Sequence, residues 1–268
     1  MNRYKFINEN KEHLHTLDGK PLIGTTTVLK ELAKPLTWWA SGLAVEKLGW
    51  TNSKKVEQEK RLEIAGDKKS EIERMSTEEY LKLLDKAYRA HADRLDESAD
   101  AGVDMHEELE KYVKMCIETN EGKPIEITGE GHEAVILFSK WAKGNVEQFI
   151  VSEGNAYSES LWVGGILDLL YEDRDRRLVI LDFKSSKEAY FSQFLQTAGN
   201  DIEIHESGIV DKDGNQLLDL KGRPVDYYAV FPFGGNAKEP TFYYNTEVAK
   251  EGFKHVVAIY KIIKKYGN

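Results

Sequence analysis

Three residues of this sequence carry types and spacings that could do chemistry. Asp168 ends the apolar run GGILD, Asp182 lies inside the next one, RLVILDFK, and Lys184 follows two residues later. An ionised carboxylate leaves water at a cost of several kcal/mol unless it is paired or holds a metal. In an extended strand Asp182 and Lys184 project to one face and Phe183 to the other. If the two runs are neighbouring strands, both carboxylates converge on one point. Two hard oxygen ligands suit Mg²⁺ or Mn²⁺, cations that keep several waters and accept phosphate oxygens. An ammonium group beside them can orient a nucleophile or stabilise developing negative charge. Metal-assisted phosphodiester hydrolysis is a chemistry that uses all three residues.

The elements that would position them follow from the pattern around them. Near Glu147 the sequence changes to period two and apolar runs, and EQFIVSEGNAYS, WVGGILDLLYE and RLVILDFKSS read as three strands. YFSQFLQTAGNDIEIHE reads as a helix, and VDKDGNQLLDLKGRP as an exposed hairpin with Asp213-Gly214 and Lys221-Gly222 turns. VDYYAVFPF and PTFYYNT give two more strands, and EVAKEGFKHVVAIYKIIKKYG a closing amphipathic helix. The expected fold is α/β, with a central sheet flanked by helices.

Residues 1–146 read as a mainly helical N-terminal region and 147–268 as the core that carries the chemistry. Within the first part, Asp18-Gly19 suggests a hairpin, TTTVLKELAKPLTWWASGLAVEKLG a helix with Pro35 dividing it, and residues 54–74 a solvated helix or arm. Ser76 with Glu79 forms a capping-box pattern ahead of a helix through residue 95. Two further helices are expected, over VDMHEELEKYVKMCIE and GHEAVILFSKWAKGN.

Composition bounds the reading. At 268 residues, with 41% hydrophobic and 31% charged residues, the chain has the make-up of a globular protein able to bury a substantial core. No apolar run approaches the ~20 residues that span a bilayer, and the first residues lack a signal-peptide core, so no membrane partner and a cytoplasmic location are expected. The single cysteine, Cys116, excludes a disulfide framework within the chain and any cluster built on several thiolates. A net charge of −9 argues against a surface coated for nucleic acid but leaves room for a local basic groove.

The arrangement resembles the PD-(D/E)XK nuclease superfamily, and within it the RecB-like exonucleases, including phage exonucleases and the mitochondrial genome maintenance exonuclease. Thirteen residues lie between Asp168 and Asp182-Phe183-Lys184. Gln196 fits the glutamine of the following helix, and AGVDMHE places His106 where these proteins carry an upstream histidine. TTTVLKELAKPLTWWASGLA looks like their opening helix, whereas residues 54–95 and 207–223 match loosely. Asn200 occupies a place where a tyrosine is usual.

The resemblance implies a restriction-endonuclease-like mixed sheet. It also implies a metal held by His106, Asp168, Asp182 and the backbone carbonyl of Phe183, with Glu153 as a further acidic candidate. Lys184 would be the catalytic lysine, and Gln196 would orient the lysine or the scissile phosphate. The implied activity is Mg²⁺- or Mn²⁺-dependent exonuclease action on DNA, with free or single-stranded ends as partner and no iron–sulfur cluster. The setting would be recombination, repair or replication processing in a bacterium or phage. A structure-specific endonuclease for flaps or junctions and a non-catalytic DNA-binding module are the alternatives. Oligomeric state and polarity of digestion are open at this stage.

Other features have plainer readings. Trp38 and Trp39 read first as core residues, with base stacking the alternative. Lys250, Lys254, Lys261, Lys264 and Lys265 read as a solvated helix face before a phosphate-facing stripe, and His132 and His205 as structural.

Overall fold

The computed structural model describes residues 2–9, 12–32, 36–52, 54, 56–128, 132–235 and 239–267, without the side chains of 9, 12 and 96–104; the expected break at Pro35 lies outside them. The chain runs β1 (Tyr4–Glu9), β2 (Glu12–Leu17), β3 (Lys20–Pro21), β4 (Ile23–Gly24), α1 (Thr25–Leu29), α2 (Thr37–Glu46), α3 (Gln58–Glu73), α4 (Thr77–Thr119) and α5 (Glu133–Asn145). It continues with β5 (Val146–Ser158), β6 (Val163–Asp173), β7 (Leu178–Lys184), α6 (Phe191–Ser207), β8 (Ile209–Val210), β9 (Gln216–Leu218), β10 (Tyr227–Pro232), β11 (Thr241–Tyr243) and α7 (Thr246–Tyr266). Two compact units divide it: residues 1–33 with 102–268, and residues 34–101. The change from helix to strand falls at Asn145/Val146, next to the expected 146/147 boundary. The division into units falls elsewhere, because the opening strands and the latter part of α4 pack on the sheet.

The larger unit is α/β, with a mixed sheet flanked by helices. Its strand order is β11-β10-β7-β6-β5-β8-β9, and β4 pairs in parallel with the start of β6. β5, β6 and β7 form an antiparallel meander, and β10 runs parallel to β7. On one face α1, α6 and α7 close over Leu167, Leu170, Ile180 and Val230, with Phe194 and Phe253 from the helices. On the other, Leu109 and Tyr112 of α4 and Phe138 of α5 meet Phe149, Phe183 and Phe231. β7 is buried at every position up to Phe183, as a strand covered on both faces must be. β1, β2 and β3 form a small separate sheet, turning at Asp18-Gly19 with both residues at positive φ (50° and 73°), the signature of a tight hairpin.

In the smaller unit the Ser76 cap is formed: the Ser76 amide donates to Glu79 Oε2 at 2.7 Å, and the Glu79 amide to Ser76 Oγ at 3.3 Å. The helix it opens does not stop near residue 95 but continues as one element to Thr119. No proline interrupts it, and the interior Gly102 costs only about 1 kcal/mol, too little to break a long helix. Neither α2 nor α3 buries a residue. Trp38 is 91% exposed and Trp39 38%, so the tryptophan pair is not core. No helix among the described residues is long and apolar enough to cross a membrane.

Candidate metal and catalytic site

The ladder between β6 and β7 ends at the pair Leu169–Leu181, so the next residues outward, Asp168 and Asp182, sit side by side. The Phe183 amide donates to Asp168 Oδ2 at 2.8 Å, tying the two strands at the site itself. Asp182 is 3% exposed and faces α6. There Lys184 Nζ lies 2.8 Å from its Oδ1 and 2.6 Å from its Oδ2, and Gln196 Nε2 donates to Oδ1 at 3.0 Å. From the opposite side of the sheet α4 brings His106, whose Nε2 lies 3.0 Å from Asp168 Oδ2 and whose ring stands edge-on to Phe183. Residues 106, 168, 182, 184 and 196 thus meet through four elements, α4, β6, β7 and α6.

α6 begins where it does because the Tyr190 amide is capped by Gln193 Oε1 at 2.8 Å, while Gln193 Nε2 donates to Ser186 Oγ at 3.1 Å. That clasp fixes the turn after Lys184 and sets Gln196 over Asp182. The Phe183 carbonyl, expected as a ligand, belongs to β7 where it runs in parallel register with β10, Phe183 opposite Phe231.

Glu153 lies across from Asp168, between the pairs Ser152–Leu169 and Gly154–Leu167. Its φ is +52°. A glutamate in the left-handed region of a strand costs about 1–3 kcal/mol and persists only where its surroundings over-determine it. Ligand atoms of His106, Glu110 and Glu153 lie within 4.8 Å of one another. Lys114, one turn beyond Glu110, pairs with Glu110 and stands 3.7 Å from Glu153 Oε2. Sequence reasoning missed Glu110; its signal is the spacing His106–Glu110–Lys114, three residues on one helix face.

The electrostatics of the cluster are set by burial working against the opposite charges around each group. Burial lifts the Asp182 carboxyl to about 7 against the opposing pull of Lys184. Burial also raises Asp168, but the bond from His106, the charge of Lys184 and the Phe183 amide outweigh it and hold Asp168 below the usual range. His106 and Lys184 are both lowered by burial and more than restored by the two carboxylates, ending above their ordinary values. Burial and the neighbouring Glu110 push Glu153 to about 7. An imidazole nitrogen and several carboxylates, two of them desolvated, fit a hard divalent cation. Among the described residues no thiolate approaches this cluster, as Cys116 is buried in the α4–α5 core.

The remaining sequence candidates lie apart from this cluster. His205 Nδ1 is 2.8 Å from buried Asp201 Oδ1, and its other nitrogen is 3.1 Å from the Arg223 carbonyl. His132 is the residue preceding α5. Lys250 pairs with Glu247 and Asp201, and Lys254 with Glu251. Lys264 and Lys265 lie over the rings of Tyr260 and Tyr266. No family model matches the chain, and no curated protein matches it.

Proposed function

We propose that the protein is a metal-dependent deoxyribonuclease of the RecB-like PD-(D/E)XK type, acting as an exonuclease with preference for single-stranded DNA ends. The observation that carries this reading is the convergence of Asp168, Asp182, Lys184, Gln196 and His106 where the ladder between β6 and β7 ends. A structural ion pair would need Asp182 and Lys184 alone. It would not need a second desolvated carboxylate on the neighbouring strand, nor an imidazole from a helix on the other face.

His106, Asp168 and Asp182 would hold Mg²⁺ or Mn²⁺, with Glu153 and the Phe183 carbonyl as further candidates. The bound cation would supply an activated water and a counter-charge for the phosphate. Lys184, now paired with Asp182, would place its ammonium where it can orient the water or stabilise the phosphate oxygen that gains charge. Gln196 keeps Asp182 oriented through its amide. Attack on phosphorus leaves a 5′-phosphate and a 3′-hydroxyl.

The test is digestion of a linear single strand, a linear duplex and a single-stranded circle, each run with Mg²⁺, Mn²⁺ or chelator. Linear strands are expected to be degraded with metal, and circles to survive. Asp182→Ala and Lys184→Ala should each lower the rate by about 10²-fold or more, the scale seen when a group stabilising the transition state is removed. Cutting of circles would make the enzyme an endonuclease. Full activity in chelator, or in either variant, would refute the site.

A further inference from the structure

Beyond the metal-ligating residues the same cleft opens into a second, differently built compartment, and the whole cavity measures about 810 Å³. Its charged lining residues, Glu107, Glu110, Lys111 and Glu153, belong to α4 and to β5 beside Asp168. The other end is formed by His15 of β2, Thr25 at the start of α1, Gly164 and Gly165 of β6, and Asn200 of α6. This end is built from buried polar groups: His15 is 5% exposed, Thr25 and Asn200 2%, and Glu203 beneath them 0%.

α6 lays Gln196, Asn200 and Glu203 in one row, so the helix that reaches Asp182 also forms this compartment. Thr25 Oγ donates to Glu203 Oε1, and Asn200 Nδ2 donates to Glu203 Oε2 at 3.2 Å. A Cβ at Gly165 would meet Glu203 Oε2 and Thr25 Oγ at 2.9 Å and Asn200 Nδ2 at 3.0 Å, so only glycine fits over this cluster. At Gly164 a Cβ would stand 3.1 Å from the His15 side chain.

His15 Nδ1 lies 2.6 Å from the Tyr4 hydroxyl. Tyr4 is buried, and among the described contacts its proton has no other acceptor, so Nδ1 accepts and Nε2 carries hydrogen. Among the described contacts that Nε2–H has no protein acceptor, and His15 lines the cavity. Burial, and secondarily His13, keep His15 neutral, with its pKa lowered to about 4.

We propose that this compartment is a subsite for the nucleoside of the terminal nucleotide, base and sugar, and not for a terminal phosphate. The proposal rests on the nuclease reading and names which part of the strand the site grips. A terminal phosphate carries nearly two charges and calls for Arg or Lys. Among the described residues this end offers neither: its lining histidines are buried His15 and exposed His13, and the carboxyl beneath it, Glu203, is fully buried. What it offers instead is the His15 Nε2–H donor and the Asn200 side-chain oxygen, both on residues that line the cavity. Asp168 lies three positions along β6 from Gly165, roughly 10 Å at the rise of a strand, which leaves room for one nucleoside beside a phosphate at the metal site.

The test uses single strands whose 5′ or 3′ terminal nucleotide bears a hydroxyl, bears a phosphate or lacks its base. Hydroxyl and phosphate ends should be digested at rates within about threefold of each other at the end the enzyme attacks. Loss of the terminal base should slow digestion about tenfold or more, as expected where a site's polar groups lose their partner. This arm needs no variant; His15→Ala and Asn200→Ser should both shrink the base dependence. A terminal phosphate that accelerates digestion tenfold, or a rate indifferent to the base, overturns the proposal while leaving the nuclease reading intact. Binding in chelator of a strand ending in 2-aminopurine separates the two ideas further. Quenching that His15→Ala weakens, in a protein that cuts nothing, supports the subsite and refutes the nuclease. Absence of quenching counts against the subsite even if cleavage occurs.

Discussion

Glu203 shows at the scale of one residue how a polar cluster under a cleft is stabilised. It is fully buried on α6, receives bonds from Thr25 and Asn200, and has no cation partner among the described residues. Burial raises its carboxyl to about 8, against the smaller opposing effect of those two bonds. Between the ordinary glutamate range and about pH 8 the folded chain therefore holds a proton that the unfolded chain has lost. Stability must fall as pH rises through that window and level off above it. Glu203→Gln keeps the site neutral at every pH, so its unfolding free energy should lack this decline. The gap between variant and wild type should reach the order of a few kcal/mol by pH 9. Denaturant unfolding in chelator from pH 5 to 9 measures it, with Asp182, whose shift has the same sign, common to both proteins. Parallel profiles would mean that Glu203 is ionised in the fold. The sequence made the central residues legible because Asp168, Asp182 and Lys184 interrupt apolar strands, where a charge must have a purpose. It hid Glu203, His15 and Thr25, since a polar residue on an amphipathic helix or hairpin looks like surface until the tertiary contact covers it.

At the scale of elements, the site depends on how closely α6 lies against its neighbours. Gly199 stands in the middle of α6, where glycine costs about 1 kcal/mol relative to alanine. Its place is explained by contact: a Cβ there would meet Phe253 of α7 at 2.7 Å and the Thr25 methyl of α1 at 2.8 Å. Gly199→Ala therefore loses more from overpacking than it gains in helix propensity, and should destabilise by about 1–3 kcal/mol, read as a lower melting temperature. It should also slow any cleavage, because Gln196 and Asn200 ride on the same helix. An unchanged or raised melting temperature would show that α6 can move away without loss. Strands β5, β6, β7, β10 and β11, together with α6 and α7, were readable from period and turn residues, being long or bounded by Gly, Pro and charged turns. β4 was not, for two residues carry no period. The continuity of α4 was not readable either, because DESADAG between its two amphipathic stretches offers no large apolar side chain, and only the contacts of His106, Leu109 and Tyr112 with the sheet show why the helix carries on.

At the scale of the whole molecule the two units differ in how they can be stable. The three hydrophobic clusters all draw their residues from 1–33 and 102–268. Among the described residues of 34–101 the buried hydrophobic side chains are two alanines, Ala87 and Ala90, while α2 and α3 bury none. Isolated helices of 10 and 16 residues are marginal in water, since nucleation is costly and packing normally makes up the difference. Ion pairs such as Lys60–Glu63 and Lys68–Glu71 on α3 add only a few tenths of a kcal/mol each. α2 and α3 should therefore open by local unfolding at free energies near zero, whereas β6, β7 and α6 open only with the global transition. Amide hydrogen exchange followed by mass spectrometry checks this: peptides covering 37–46 and 58–73 should exchange at least about 10³-fold faster than those covering 163–173, 178–184 and 191–207, a gap of ~4 kcal/mol. Comparable protection in both sets would mean that the smaller unit has a source of stability beyond its own contacts. Addition of a single strand in chelator then asks what the exposed Trp38 and Trp39 are for. Base stacking contributes about 1–3 kcal/mol per aromatic, enough to slow exchange in α2 by roughly one to two orders of magnitude if the strand engages it. Unchanged exchange in α2, with strand binding at the cleft demonstrated independently, would confine nucleic-acid contact to the larger unit.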